Sequence, residues 1–390
     1  MPEIVDDLSR ALVAFDQDST LAVVVELSQS SWLVAGMVPG LERRPLKKLE
    51  PGAAGLLSLV HRWRDEAERC GRRIGRLVVA FEAGRDGFWL ARWLMKRGVE
   101  VHVIHAASVA VSREHRRAKT DRLDTQLLMR ALLGWLRGEA GHCKMARVPT
   151  LEEEDDRRPG REREALVAER TRLVNRAKAV LVRFGIVGFK PMLRKAADKL
   201  AGLRTPDDEA LPVHTLAELS RITERLALIK AQIAAIEAAR LEPAPPTESQ
   251  AQARLMQAAL ARVIGVGTET AEVLTQELFR RPLRDRRAVA RFAGLTGSPD
   301  ESGARRREKG LARAGCARVR RSMIQLAWRF LRFQAESDLA KWFQQRAQAA
   351  SGHQRKRLIV ALARKLLIAL WRLAATGQVP EGVRLRPAEA

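Results

Sequence analysis

The chain has 390 residues, with 70 lysines and arginines against 46 aspartates and glutamates, and its formal net charge is +24 at pH 7. This excess favours nucleic acid or another polyanion as the partner, and the length suffices for two or three domains. The three cysteines are too few and too scattered for a disulfide framework or a zinc site. The absence of tyrosine excludes recombinases and topoisomerases that use a tyrosine nucleophile.

Apolar runs are short throughout the chain, and none reaches the roughly 18 residues that a membrane-spanning helix needs. The first residues, Met-Pro-Glu-Ile-Val-Asp-Asp, lack the basic and apolar regions of a secretory signal. We therefore expect a cytoplasmic protein that has no membrane partner.

The first part of the chain, from residue 12 to about 138, alternates between strand and helix patterns. Apolar runs rich in valine, isoleucine and leucine predict strands at 21–27, 32–38, 76–82 and 99–104. Helical patterns follow or separate them at about 52–69, 86–97 and 121–137. Such an order predicts an α/β domain over residues 1–148, with a mixed sheet covered by helices.

Four carboxylates in this domain stand where they could form one site. Asp16 lies in an apolar, strand-like run, Glu82 ends another, and Asp121 and Asp124 share one face at the start of a helical pattern. Clustered carboxylates repel one another unless a cation neutralises them, and Mg²⁺ prefers such hard oxygen ligands. The order of these acids predicts an RNase H-like fold with a magnesium site.

Each of these acids has a less specific interpretation. Asp18 is an alternative to Asp16, because alternation along a strand places both on the same face. Asp86 is a weaker alternative to Glu82, since it follows Gly84 at the predicted helix start. Any of the acids can instead be solvated, and Asp121 would make a good helix N-cap.

Residues 149–250 are predicted to form a helical linker. The segment 151–164 is almost entirely charged, and apolar residues then recur at helical spacing over 161–183 and again over 216–236. Two such helices predict a helical hairpin or a coiled coil that joins two domains.

The last region, residues 251–390, is predicted to be mostly helical. Gly265 and Gly267 form a Gly-x-Gly turn between two helical patterns, similar to a helix-hairpin-helix in which backbone N–H groups contact a phosphate. An ordinary interhelical turn explains the same pattern. The final helix, predicted from Arg355 to Trp371, is amphipathic and basic.

A loop of small residues within 292–322 carries Ser302 beside Gly303, and a cationic run follows it. The candidate phosphate-binding residues of this run are Arg305, Arg306, Arg307, Lys309, Arg313 and Arg318. Serine is a weak nucleophile unaided, although an arginine cluster can stabilise charge on an attacked phosphate. From the chemistry alone, a phosphate-binding loop in which Ser302 only donates a hydrogen bond is favoured.

Several motifs occur together in one order around the helical linker. They are Phe15-Asp16, Val78-Val-Ala-Phe-Glu82-Ala-Gly-Arg-Asp-Gly-Phe-Trp89, Arg117-Ala-Lys-Thr-Asp121-Arg-Leu-Asp124, Val263-Ile-Gly-Val-Gly-Thr-Glu-Thr-Ala271, Phe292-Ala-Gly-Leu-Thr-Gly-Ser-Pro-Asp-Glu-Ser302-Gly and Lys309-Gly-Leu-Ala-Arg-Ala-Gly315. With them the chain resembles, over nearly its whole length, the DEDD transposases of bacterial insertion sequences, a family of bridge-RNA-guided recombinases.

The resemblance implies an RuvC-like domain with a metal-binding tetrad at Asp16, Glu82, Asp121 and Asp124. It also implies a coiled-coil linker and a C-terminal transposase domain in which Ser302 attacks a DNA phosphate. The implied partners are donor DNA, target DNA, a noncoding bridge RNA that supplies sequence specificity, and further copies of the chain in a dimer or tetramer. The implied cofactor is Mg²⁺.

The chain departs from this family in two places. After Asp16 it reads Gln-Asp18-Ser-Thr without the usual lysine, and Arg313 and Cys316 stand where lysine and asparagine are usual. Two other functions stay open. A nuclease resembling Holliday-junction resolvases would need the acids but not Ser302, and a non-enzymatic RNA-binding protein would need neither.

Overall fold

The structure, a computed structural model, describes residues 11, 13–84, 88–105, 108–109, 121–139, 141–240, 245–302, 305–311, 314–348 and 350–387. The chain divides into two compact units, Met1–Glu152 and Glu153–Ala390. The helices of the predicted linker therefore belong to the second unit. Among the described residues, every helix is too short or too polar to cross a lipid bilayer.

The first unit is built on a six-stranded mixed sheet in the order β3-β2-β1-β4-β5-β6. The central strands β1, β4 and β5 are parallel, and the other three join antiparallel. The strands are β1 Thr20–Leu27, β2 Trp32–Met37, β3 Leu46–Leu49, β4 Arg76–Glu82, β5 Glu100–Ile104 and β6 Met145–Ala146. The four predicted strands are confirmed to within one residue at each end.

Helices cover both faces of this sheet. Val23 and Val25 of β1 pack in one apolar cluster with α1, Ala53–Arg69, and α2, Trp89–Met95. Ala22 and Val24 point the other way and pack with α3, Asp121–Leu136. Alternate residues of a strand face opposite sides, so the even-numbered residues of β1 lie on the α3 face. The mixed α/β architecture is confirmed, whereas its RNase H-like identity stays a prediction.

The second unit is mostly helical, as predicted. Its helices, with α4 spanning the boundary, are α4 Leu151–Asp155, α5 Arg158–Val182, α6 Ala196–Leu200, α7 Val213–Ala239, α8 Glu248–Ala261, α9 Thr268–Leu274, α10 Arg286–Phe292, α11 Ala317–Phe333, α12 Asp338–Ala347 and α13 Gly352–Thr376. A π-helical segment, Thr275–Phe279, continues directly from α9. Both predicted linker helices and the predicted final helix are present.

The long helices α5 and α7 form an antiparallel pair. Leu173 and Leu181 of α5 share a buried apolar cluster with Leu219 and Leu226 of α7. Ion pairs fix the opposite directions, because Arg163 pairs with Glu237 at 2.7 Å whereas Arg176, further along α5, pairs with Glu218 at 2.6 Å. The predicted helical hairpin is thus observed, and coiled-coil geometry stays a prediction.

A β-hairpin stands where the sequence predicted a loop of small residues. Its strands are β7, Gly297–Ser302, and β8, Arg305–Leu311. They pair antiparallel, with Ser302 opposite Arg305. Glycine, proline and adjacent charges in this segment weaken every strand pattern in the sequence, which explains why the hairpin was not predicted.

Buried ion pairs hold the start of α5 against the helices of the C-terminal region. Glu277, in the π-helical segment, accepts from Arg161 at 3.0 Å and from Arg318 at 3.0 Å. Burial alone would raise the pKa of Glu277, but the hydrogen bonds and charges of these two arginines hold it below its usual value. Glu272 pairs with Arg240 at 3.0 Å, and here burial prevails and raises the pKa of the carboxyl.

Gly160 permits this close approach, so Gly160→Ala is expected to destabilise the second unit. A Cβ atom at this position would stand 2.5 Å from Oε1 of Glu272 and 3.0 Å from Nη2 of Arg318. Moving a buried, paired carboxylate is costly, and we expect a loss of about 1–3 kcal/mol. Chemical denaturation measures it. Gly352→Ala is the matched control, because a Cβ there meets nothing within 4 Å, and an equal loss in both variants would contradict this role of Gly160.

Candidate active site

Two glutamates stand side by side where the parallel strands β1 and β4 end. The register pairs Val25 with Phe81, so the next residues along the two strands, Glu26 and Glu82, are level. Both continue the even-numbered set, which packs against α3 through Ala22 and Val24 of β1 and through Val78 and Ala80 of β4. The two carboxylates therefore share the α3 face at the carboxyl edge of the sheet.

The helix α3 carries two further predicted acids, Asp121 and Asp124, in its first turn. In its last turn the carbonyl of Trp135 accepts from the N–H of Ala11 at 3.0 Å. The Trp135 ring also packs on His102 in the middle of β5, with the ring centroids 4.5 Å apart. The helix thus packs on the face of the sheet that carries Glu26 and Glu82, and a common site of Asp121 and Asp124 with these glutamates stays a prediction.

The resulting set is Glu26, Glu82, Asp121 and Asp124. Carboxylate oxygens alone suit a hard divalent cation such as Mg²⁺, and the chemistry of this donor set therefore fits the predicted metal. Among the described residues, however, no three His, Cys, Asp or Glu side chains lie close enough to hold one metal ion together. Glu26 and Glu82 share an edge, and the described positions of the four acids do not form a closed coordination shell.

The structure does not place Asp16 with this set. The strand β1 begins only at Thr20, and the segment before it is held at the amino edge, where the carbonyl of Ser19 accepts from the N–H of Gly75 at 2.9 Å. From Thr20 to Glu26 a strand rises about 20 Å. Asp16 is thus separated from Glu82 by roughly the length of the sheet, so the structure does not bring the two together, and a metal-binding role of Asp16 stays a prediction.

Asp16 has a local structural role instead. Its carboxylate accepts hydrogen bonds from the Ser19 hydroxyl and from the N–H of Asp18, and these bonds lower its pKa. Asp18 is turned to Arg72, with Asp18 Oδ1 at 3.2 Å from Arg72 Nη1. Both acids therefore fix the entry into β1. The other alternative, Asp86, lies outside the described residues.

Glu26 was missed, although a signal for it was present in the sequence. The strands 21–27 and 76–82 were predicted almost to the residue, and glutamates stand at Glu26 and Glu82, near the end of each. Had the two strands been predicted as parallel neighbours, their carboxyl ends would have met at one edge. The apolar residues before Asp16 resemble a strand, and this pattern favoured Asp16, before the amino end of β1, over Glu26 near its carboxyl end.

In the second unit, Ser302 is the last residue of β7, at the end of the hairpin. The candidate phosphate-binding residues Arg305, Arg306, Arg307 and Lys309 lie on β8, and Arg313 lies outside the described residues. The first residue of the returning strand, Arg305, is opposite Ser302 in the register. The backbone thus places Ser302 directly beside the start of a cationic strand.

Arg318 has protein partners inside the second unit. Its side chain is mostly buried and pairs with Glu277 at 3.0 Å and with Glu164 at 2.7 Å. These carboxylates already neutralise its charge, and phosphate binding by Arg318 stays a prediction that this geometry does not favour.

The predicted Gly-x-Gly turn joins α8 to α9. Gly265 has a φ of +98°, in the left-handed region that favours glycine, and Gly267 is the N-cap residue of α9. The pocket beside this turn contains Glu237 and Glu269 as well as Arg163 and Arg240. Phosphate binding by Gly265 and Gly267 stays a prediction, since carboxylates already neutralise the nearby cations.

Comparison with known proteins adds two findings. The model of the transposase IS116/IS110/IS902 family matches residues 257–342, which include the hairpin with Ser302. A protein described as putative transposase y4rJ, from Sinorhizobium fredii (strain NBRC 101917 / NGR234), is 42% identical over 373 residues. That alignment covers 93% of this chain and 94% of the relative.

Proposed function

The chain belongs to the IS116/IS110/IS902 family of transposases, and from this premise we propose that it cuts and rejoins DNA through a transient bond between Ser302 and a DNA phosphate. DNA is the substrate that membership in a transposase family implies. The observation that supports a metal-assisted reaction is the shared carboxyl edge, where Glu26, one residue before the end of β1, is level with Glu82, the last residue of β4.

The proposed covalent step is balanced in atoms and charge. The Ser302 hydroxyl attacks the scissile phosphorus and loses its proton, a phosphoserine diester forms, and a deoxyribose hydroxyl leaves with a proton. In the second half of the reaction a hydroxyl from another DNA strand attacks the same phosphorus and releases Ser302. Because one ester replaces another at each step, rejoining needs no external energy source.

Glu26, Glu82, Asp121 and Asp124 would hold Mg²⁺ in this proposal. When bound, the ion would neutralise charge on the attacked phosphate. The carboxylates bind and orient it, and the arginines of β8 contact the backbone of the nucleic acid. We further propose, on the family resemblance, that a bridge RNA supplies sequence specificity and that a dimer or tetramer acts in the cytoplasm.

The reaction is expected to require a divalent metal and the acids of the carboxyl edge. Purified protein is incubated with its flanking noncoding RNA and with labelled donor and target DNA, in either Mg²⁺ or EDTA. The Asp121→Asn variant is assayed in parallel under the same conditions. Joined products should appear only with Mg²⁺ and the intact acid, because the substituted amide binds a cation far more weakly than a carboxylate does. Full activity in EDTA would contradict the metal site.

The same assay distinguishes the alternative function. A structure-selective nuclease of the Holliday-junction type would leave cut DNA with free 5′-phosphate ends, no attached protein and no joined product. That result, together with a requirement for Asp121, would support the proposed metal site and contradict the proposed serine reaction.

A further inference from the structure

An open groove of about 480 Å³ lies between α10 and α13 in the second unit. It is lined by Arg284, Arg287, Arg291, Thr296 and Arg364, which together are called the arginine groove. The helix α10 begins after Asp285, whose Oδ1 accepts the N–H groups of Arg287 and Ala288 at 2.8 Å each. Its apolar side, with Val289 and Ala290, is buried, and this turns the exposed Arg287 and Arg291 outward, one helical turn apart.

Little negative charge balances these guanidinium groups. Arg284 pairs with Asp285 at 3.2 Å, but the same carboxylate also caps α10. Among the side chains that the structure describes, none offers a carboxylate to Arg287, Arg291 or Arg364 within ion-pair distance. Three like charges around one groove repel one another, so the groove is suited to a ligand with several negative charges.

The lining of the groove distinguishes between polyanions. Of the residues that the structure describes, those lining the groove offer guanidinium groups and one hydroxyl and no aromatic ring. Proteins that bind unpaired bases, as in single-stranded RNA, stack them on aromatic side chains, whereas contacts to a duplex backbone use arginine, lysine and hydroxyl groups. The lining therefore favours the phosphates of a DNA duplex over an unpaired RNA segment.

The groove is also close to the proposed nucleophile along the chain. Thr296 directly precedes Gly297, the first residue of β7, and Ser302 is the last residue of that strand. Six steps of a strand, from Thr296 to Ser302, span about 20 Å, which equals roughly six base pairs of duplex at 3.4 Å each. A duplex with its phosphates in the groove would thus be held within about six base pairs of Ser302.

We propose that the arginine groove binds the phosphodiester backbone of the DNA duplex that flanks the phosphate attacked by Ser302. This inference rests on the proposed function for its position relative to the reaction. Binding of duplex phosphates by the groove itself does not need Ser302 or a metal ion, so the two proposals can fail separately.

The test measures the affinity of the full chain for a DNA duplex of arbitrary sequence across a range of salt concentrations, in EDTA so that no strand is cut. Each phosphate that the protein neutralises contributes about 0.9 to the slope of log affinity against log salt. Arg287→Gln with Arg364→Gln should reduce the magnitude of this slope by about 1.8 and weaken binding at low salt at least tenfold.

The matched control is Arg286→Gln. Arg286 is the exposed neighbour of Arg287 on α10, carries the same charge and does not line the groove, so the salt slope should stay that of the wild type. Since Arg364 is half-buried, Arg287→Gln with Arg291→Gln, both at exposed positions, repeats the test if the first pair lowers the melting temperature.

Three results would overturn the proposal. They are an unchanged slope in both groove variants, an equal loss in Arg286→Gln, or a loss confined to binding of the noncoding RNA. If the groove variants lower the salt slope as expected but no covalent adduct forms at Ser302, DNA binding by the groove is supported and the serine reaction is contradicted.

Discussion

Replacing Ser302 by alanine is expected to eliminate covalent protein–DNA adducts and joined DNA products. The variant lacks the only oxygen that forms the proposed phosphoserine bond, so the rate should fall by roughly 10³-fold or more, as when a nucleophile is removed from other enzymes. The adducts are measured as protease-sensitive, slowly migrating bands of labelled DNA on denaturing gels. Binding of the noncoding RNA should be unchanged, because no chemical step is involved in it.

Ser298→Ala provides the matched control for this result. Ser298 lies on the same strand, four residues before Ser302, and it has no assigned role in the reaction. Its variant should form adducts at a rate near that of the wild type. Adducts that persist in Ser302→Ala, or vanish equally in Ser298→Ala, would contradict the assignment of the nucleophile.

Glu26→Gln is expected to abolish DNA joining, whereas Asp16→Asn is expected to keep most of it. Each change removes one negative charge, Asp16 before the start of β1 and Glu26 near its carboxyl end, and only Glu26 lies beside Glu82. A second measurement does not depend on catalysis. Mg²⁺ should raise the melting temperature of the wild type and of Asp16→Asn, because a ligand that binds the folded state stabilises it, but not that of Glu26→Gln.

The reverse outcome for these two variants would place the metal at Asp16. If Asp16→Asn loses both activity and stabilisation by Mg²⁺ while Glu26→Gln keeps both, the metal is held through Asp16 and the carboxyl-edge site is wrong. A small loss of stability in Asp16→Asn is compatible with its role before β1, since its carboxylate accepts from Ser19 and Asp18.

Local patterns in the sequence were sufficient for the elements with strong periodicity. The central strands are continuous apolar runs buried on both faces, and the long helices α5, α7 and α13 repeat apolar residues at helical spacing, so their positions were predicted well. The edge strand β3 reads Leu46-Lys-Lys-Leu49, and β6 has two residues. Such strands depend on pairing with a neighbour rather than on their own composition.

The candidate site was predictable only in part, because its geometry depends on strand register. Glu82, Asp121 and Asp124 end or begin elements that the sequence defines, and all three could be named as candidates from it. To predict Glu26 rather than Asp16 as the neighbour of Glu82, one must know that β1 pairs in parallel with β4. The local sequence does not specify this pairing. Arg318 illustrates the same limit, since its partners Glu164 and Glu277 are far from it in sequence.

The most direct test of the account is to identify the residue that becomes linked to DNA. Trapped adducts are digested with nuclease and trypsin, and the peptide 292–305 is sequenced by mass spectrometry; it contains Thr296, Ser298 and Ser302 as the only hydroxyl side chains. We expect a nucleotide remnant on Ser302. A remnant on Thr296 or Ser298, or joined DNA products formed without any nucleotide-linked peptide, would contradict it.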